Sequence, residues 1–171
     1  MKTLFNTVLI ALLAIAFFSC TDESTSVVQS ENTLMKSGPS ANGQGTLIIN
    51  GKNQTFSFHA QDNDGIVTGS VQCNIRDLGI VFHGKINCMV INGNEAILSG
   101  EIIHDNGLLE LYPDYPYFLF RVIDNGEGAN TPPDEFSDIY AYIDYYPCDW
   151  EYPSAMWYMQ PIVNGNFQVK P

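Results

Sequence analysis

From about residue 45 onward, apolar and polar side chains alternate with period two, the pattern of strands covered by a core on one face. Thr46-Leu47-Ile48-Ile49 runs into Asn50-Gly51, a dipeptide suited to a tight hairpin. Phe56, Phe58 and Ala60 then share one face of a strand, with Thr55, Ser57 and His59 on the other. Asp62-Asn63-Asp64-Gly65 supplies the next turn. A meander follows from Ile66 to His104. Its first strand directs Val67, Gly69, Val71, Cys73 and Ile75 inward, and its second directs Phe82, Gly84, Ile86, Cys88 and Val90 inward. Pairing Ile75 with Ile80 leaves Arg76 to Gly79 as a loop, with Gly79 free to take positive φ. A three-residue Asn92-Gly93-Asn94 turn sets Ala96, Leu98, Gly100 and Ile102 inward and Glu101 opposite Lys85. A two-residue Asn92-Gly93 turn would put carboxylates in the core, which costs far more than one extra loop residue. The same register places His83 on the outer face and His104 inward at a strand end, so the two do not form a metal pair.

Phe118, Leu119, Phe120, Val122 and Ile123 are apolar on both faces, as in a strand covered from two sides. An acidic, turn-rich loop from Asp124 to Asp134 follows, and its glycines and prolines admit no regular element. Ile139, Ala141, Ile143 and Tyr145 alternate with Asp138, Tyr140, Tyr142 and Asp144. Pro147 to Pro161 is irregular, and Ile162 to Lys170 closes the chain around an Asn164-Gly165 bend. About eight strands, turn signals throughout and no helical period predict one all-β domain, an antiparallel β-sandwich or partly open barrel.

The first residues have a different character. Lys2 precedes an unbroken apolar run from Val8 to Phe18, too short for a membrane-spanning helix of about 20 residues and followed at once by Ser19-Cys20. Ala14-Ile15-Ala16 is an A-x-A cleavage site. Phe17-Phe18-Ser19-Cys20 resembles the bacterial lipobox, although Phe17 stands where leucine is usual. The lipobox is the better reading, because the apolar run passes beyond Ala16 and polarity begins only at Thr21. The expected organisation is a signal peptide over 1–19, a lipidated Cys20 with a Ser/Thr/Asn-rich tether over 20–44, and a β-domain over 45–171. The acidic residues after Cys20 also resemble the surface-export tether of Bacteroidota lipoproteins. The implied location is the bacterial outer membrane, held through the lipid anchor and facing the cell surface.

The chain of 171 residues carries a formal charge of −12. With no basic patch for phosphates, nucleic acid is not an expected partner. Cation binding is the sharper reading of the acidity and solubility the plainer one.

An ordered set of phrases points to a relationship: T-F-S-F-H-A at Thr55 to Ala60, D-G-x-V-x-G at Asp64 to Gly69, His83-Gly84, and G-N-x-A-x-x-S-G at Gly93 to Gly100. After these come F-R-V-x-D-N-G-E-G from Phe120, P-P-D, and a closing N-G-N-F-Q-V. Together they resemble the post-COAP type of small secreted bacterial β-domain, over about Gly45 to Asp138 and the last strand. The resemblance implies fold and export and carries no chemistry. Leu108 to Tyr117 and Tyr145 to Met159 stand out as aromatic-rich inserts.

Motifs for catalysis are missing from the sequence: no G-x-S-x-G elbow, C-x-x-C, H-E-x-x-H or phosphate loop occurs. Asp124, Asn125, Glu127 and Asp134 are hard oxygen donors of the kind calcium prefers, in a spacing that matches no established calcium loop. Asx and glycine turns explain the same residues without metal. All nine tyrosines and both tryptophans lie between Tyr112 and Tyr158, interleaved with carboxylates. Among them Tyr140, Tyr142, Trp150 and Trp157 are the candidates for stacking on a glycan or meeting a protein ligand. The plainer reading makes these rings a cap over an open end of the fold. Cys73 and Cys88 are predicted too far apart along neighbouring strands to be joined, and Cys148 is left open to either partner or to none. The function expected is non-catalytic, a binding or surface-structural role for an exported, lipid-anchored domain. The alternatives are a small hydrolase and a calcium-stabilised adhesion module; no cofactor other than calcium is suggested.

Overall fold

A computed structural model describes residues 38–106, 108–111, 113–149, 151–153 and 156–171. The expected lipidation site Cys20 and the candidate Trp150 lie outside the described residues. Ten strands follow in chain order: β1 (Ser40–Ile49), β2 (Lys52–Asn63), β3 (Ile66–Ile75), β4 (Ile80–Asn92), β5 (Glu95–Asp105), β6 (Tyr117–Ile123), β7 (Glu135–Ser137), β8 (Tyr140–Tyr142), β9 (Met159–Pro161) and β10 (Asn164–Lys170). A 3-10 turn (Arg76–Leu78) joins β3 to β4, and one α-helical turn, α1 (Leu108–Leu111), lies between β5 and β6. The strands form a single antiparallel sheet in the order β10-β1-β2-β3-β4-β5-β6-β7-β9, with β8 also paired to β6. The sheet curls into an open half-barrel, the barrel alternative of the sequence expectation and not a sandwich of two sheets. Strand β1 starts at Ser40, five residues earlier than the alternation suggested, because Ser40 to Gln44 pair with both β2 and β10.

The turns follow their local chemistry. Asn50 and Gly51 both have positive φ (51° and 76°), as do Asp64 and Gly65 (55° and 85°), the conformation that matches the twist of a two-residue hairpin. The core on the concave side is aromatic. Phe56 and Phe136 stack with ring centroids 4.0 Å apart, Phe120 lies 5.3 Å from Phe136, and Phe58 lies 5.5 Å from Phe167. Gly84 makes room for this packing, since a Cβ there would collide with the Phe118 ring. Strand β6 is covered from both sides as predicted: Phe118, Phe120 and Val122 join the concave core, while Leu119 belongs to a second cluster with Ile97 and Trp157.

The meander follows the predicted register from Ile75↔Ile80 to Gly69↔Ile86, and Lys85 does face Glu101. Its next hairpin differs. Asn92 pairs with Glu95, so the turn is the two residues Gly93-Asn94, a loop outside the two considered from sequence. Two bulges reconcile that turn with the core. The first falls between Ile86 and Cys88, leaving Asn87 as an extra residue. Beyond it the parity of β4 is inverted: Met89 enters the concave core, and Val90 packs on the second cluster. The expected inward placement of Cys88 and Val90 is therefore wrong. The second bulge lies at Ile103 and turns His104 outward, opposite His83, where an inward position was expected. A bulge keeps one face apolar on either side of a slip that would otherwise expose the core.

Turned outward, Cys88 meets Cys148, with Cα atoms 5.8 Å apart, and the two form a disulfide, while Cys73 stays free and buried. The bond ties Cys148 to the outer face of the sheet, where Tyr140, Tyr142, Tyr152, Met156 and Trp157 cover Ile97 and Leu119.

Candidate functional site

At one end of the half-barrel the concave core stops short and leaves a cavity of about 390 Å³. The β1–β2 turn, the β3–β4 loop, α1 and residues 138–141 surround it. Its walls are Ile49, Ile75, Phe82, Ile102, Phe118 and Ile139, with Gln54 and Asp138 as the polar groups within and Lys52 exposed at the rim. A recess of this kind, apolar with few convergent polar groups, is the usual form of a small-molecule site.

Gln54 reaches the interior by strand parity, sharing the inward face of β2 with Phe56, Phe58 and Ala60, and it is 4 % exposed. Its Nε2 donates to the Cys73 thiol at 3.1 Å, and its side chain also bonds the Asp138 carboxylate. Asp138 follows Ser137, which is held in place as its Oγ accepts the Arg121 backbone N–H at 2.8 Å. The Ile139 backbone N–H donates to Asp138 Oδ1 at 2.7 Å. Burial raises the Asp138 pKa, and the bonds from Ile139 and Gln54 only partly offset that. A carboxylate offers about four acceptor positions, more than these two bonds fill. Burial pushes the Cys73 thiol up to about 12, so it is protonated at neutral pH and unsuited to nucleophilic work.

The residues singled out from the sequence lie elsewhere. Asp124, Asn125, Glu127 and Asp134 do come together, but around the backbone of β10. Asp134 Oδ2 accepts the Phe167 N–H at 2.6 Å and its Oδ1 accepts the Asn125 N–H at 2.8 Å. Asp124 Oδ2 accepts the Val169 N–H at 2.9 Å and its Oδ1 accepts the Gly126 N–H at 2.8 Å. Asn125 Nδ2 donates to the Pro133 carbonyl, and Glu127 Oε1 accepts from Asn166 Nδ2 at 3.2 Å. The four carboxylate oxygens of Asp124 and Asp134 are engaged by backbone N–H donors, an arrangement that fastens a strand edge. The adjoining groove of about 610 Å³, between Gly126–Asp134 and residues 162–166, is larger than the mouth cavity but open to solvent.

The aromatic candidates build a packed cover. Trp157 is 7 % exposed and meets Tyr140 and Tyr152 edge-on with centroids 6.1 Å away in both cases. Tyr142 contacts Tyr146 at 4.5 Å. The rings cap the sheet, as the plainer sequence reading had it, though over its outer face and not over an open end. Burial raises the Tyr142 and Tyr152 phenols as well.

Gln54 and Asp138 were missed by sequence reasoning. A signal for Gln54 existed: extending the β2 alternation by one more step puts a polar residue on an apolar face. For Asp138 the signal pointed the wrong way: the alternation of Ile139, Ala141 and Ile143 assigned it outward, and β7, three residues long, is too short to show that it shares the inward face of Phe136.

The fold and this recess define the chain as an all-β half-barrel with an end-on pocket. Neither a family model, nor a curated protein, nor a solved structure matches it.

Proposed function

We propose that the protein is an exported, lipid-anchored binding domain whose half-barrel mouth takes a small apolar molecule bearing a hydrogen-bond-donating head. The observation that carries this reading is the Asp138 carboxylate, half-buried beside Gln54 in the wall of a mainly apolar cavity. A desolvated carboxylate destabilises a fold, and such groups concentrate at functional sites. An amine or hydroxyl on the ligand supplies the missing donor while its apolar body covers Phe82, Ile102 and Phe118. The Cys88–Cys148 disulfide supports export, because such bonds persist in oxidising compartments. The protonated Cys73 speaks against the hydrolase alternative, and the backbone bonds of Asp124 and Asp134 against the calcium-stabilised one.

The test is head-group selectivity. Decylamine, decanol and decanoate compete against the neutral fluorophore N-phenyl-1-naphthylamine bound to the full chain. The amine is expected to displace best and decanoate worst, with the amine's advantage lost in Asp138→Asn. Preference for decanoate would mean that Lys52 governs the mouth and would overturn the role given to Asp138.

A further inference from the structure

The outer face of the meander carries a second arrangement, independent of the mouth cavity. The bulge at Ile103 brings His104 directly across from His83, with ring centroids 5.9 Å apart and planes tilted by 39°. His83 is half-buried and His104 exposed. Neither imidazole has a hydrogen-bond partner among the described residues. Bulges interrupt the ladder and are retained where they re-aim a side chain. Burial of apolar surface does not explain this one, because Ile103 is left 63 % exposed. Keeping an imidazole out of the core would explain why His104 turns outward. It does not require that the ring land opposite a second imidazole.

We infer that His83 and His104 form a two-imidazole site for a borderline divalent cation, copper, nickel or zinc. A metal bound through a ring nitrogen at about 2.0–2.1 Å stands about 3.2 Å from the ring centre, so rings sharing an ion have centres about 4.5–6.4 Å apart, from cis to trans. The observed separation lies in that interval. Imidazole is the ligand type these ions favour, whereas calcium and magnesium require oxygen donors. Among the described residues no group of three or more potential ligands comes together, so solvent completes the coordination and open positions face outward. The third histidine is not part of the site. His59 lies on β2, two strands from His83 and offset by two residues along them, so its Cα is about 12 Å away, and its ring is bonded to Ser70 at 3.3 Å. The net charge of −12 raises the local concentration of cations.

The experiment is calorimetric titration of the full chain with NiCl2 and ZnCl2 in a non-coordinating buffer, alongside His83→Gln, His104→Gln and His59→Gln. Each ring substitution removes one of two protein ligands and is expected to lower affinity by at least the about tenfold that loss of a mere outer-shell partner costs, with His59→Gln unchanged. On the unaltered protein, zinc is expected to shift the ring-proton NMR signals of His83 and His104 together and leave those of His59 in place. Equal affinity in the double His83→Gln/His104→Gln variant, or a shift confined to His59, would overturn the site.

Discussion

The Asp134 carboxylate accepts the Phe167 backbone N–H at 2.6 Å, and this bond closes the side of β10 that no strand covers. Strand β10 pairs with β1 along one edge only, and two N–H groups of its other edge, Phe167 and Val169, end on the carboxylates of Asp134 and Asp124. An open edge otherwise invites pairing with another chain. Asp134 is 5 % exposed, so its replacement by alanine leaves buried donors without acceptors. Asp134→Ala is expected to cost about 3 kcal/mol in urea unfolding, and added calcium to leave the melting temperature of the unaltered protein in place. A calcium-dependent rise in melting temperature would restore the metal reading of the loop.

The Cys88–Cys148 bond closes a loop of 60 residues. Loop entropy of that size corresponds to about 4 kcal/mol, and the paired Cys88→Ser/Cys148→Ser variant is expected to lose stability on that scale. Non-reducing peptide mapping is expected to recover a Cys88–Cys148 peptide, with Cys73 alkylated only after unfolding. A Cys73 adduct formed under native conditions at neutral pH would contradict its buried, protonated state.

Trp157 tests the assignment of the aromatic segment to the cover. Seated on Ile97 and Leu119, it is expected on truncation to alanine to destabilise the domain by about 3–5 kcal/mol, as large buried aromatics do. A ligand platform would instead tolerate that change with melting unaltered.

The raised pKa of Asp138 predicts a pH dependence of definite sign. In the unfolded chain an aspartate titrates near about 3.9. The folded state holds the Asp138 proton to higher pH, so between the two values it binds more protons than the unfolded state. This group's contribution to stability therefore falls as pH rises through that interval and is constant above it. Asp138→Asn removes the fall. Its urea midpoint is expected to exceed that of the unaltered protein at pH 7, with the gap closing as pH drops toward the ordinary carboxyl value. A gap that widens on acidification would mean that Asp138 is stabilised as a carboxylate and does not await a donor.

What the sequence made legible followed from period two. The faces of β2, β3 and the first half of β4, the two-sided burial of β6 and the Asn50-Gly51 hairpin all came from alternation and turn residues. Cys88 and His104 were misassigned because a bulge adds a residue without a distinct signature, and every face beyond it inverts. The three-residue turn argued for Asn92 to Asn94 gave the correct Lys85–Glu101 pairing because the Asn87 bulge contributes the same one-residue offset at another place. Short strands such as β7 and β9, three residues each, offer too few positions for a period to show. Asp138 sits at such a strand end, so the candidate site was the least legible part. Packing between distant segments defines it.

Filling the mouth cavity tests the central claim most directly. Ala141 lines the cavity from β8 and is half-buried, so Ala141→Trp places an indole in the recess while the Phe-rich core beneath keeps its contacts. The measurement is N-phenyl-1-naphthylamine fluorescence titrated against the unaltered and Ala141→Trp proteins, with far-ultraviolet dichroism to confirm the same fold. Saturable one-to-one binding to the unaltered protein, lost in the filled variant, is the predicted result. Equal binding by both proteins would contradict the assignment of the pocket.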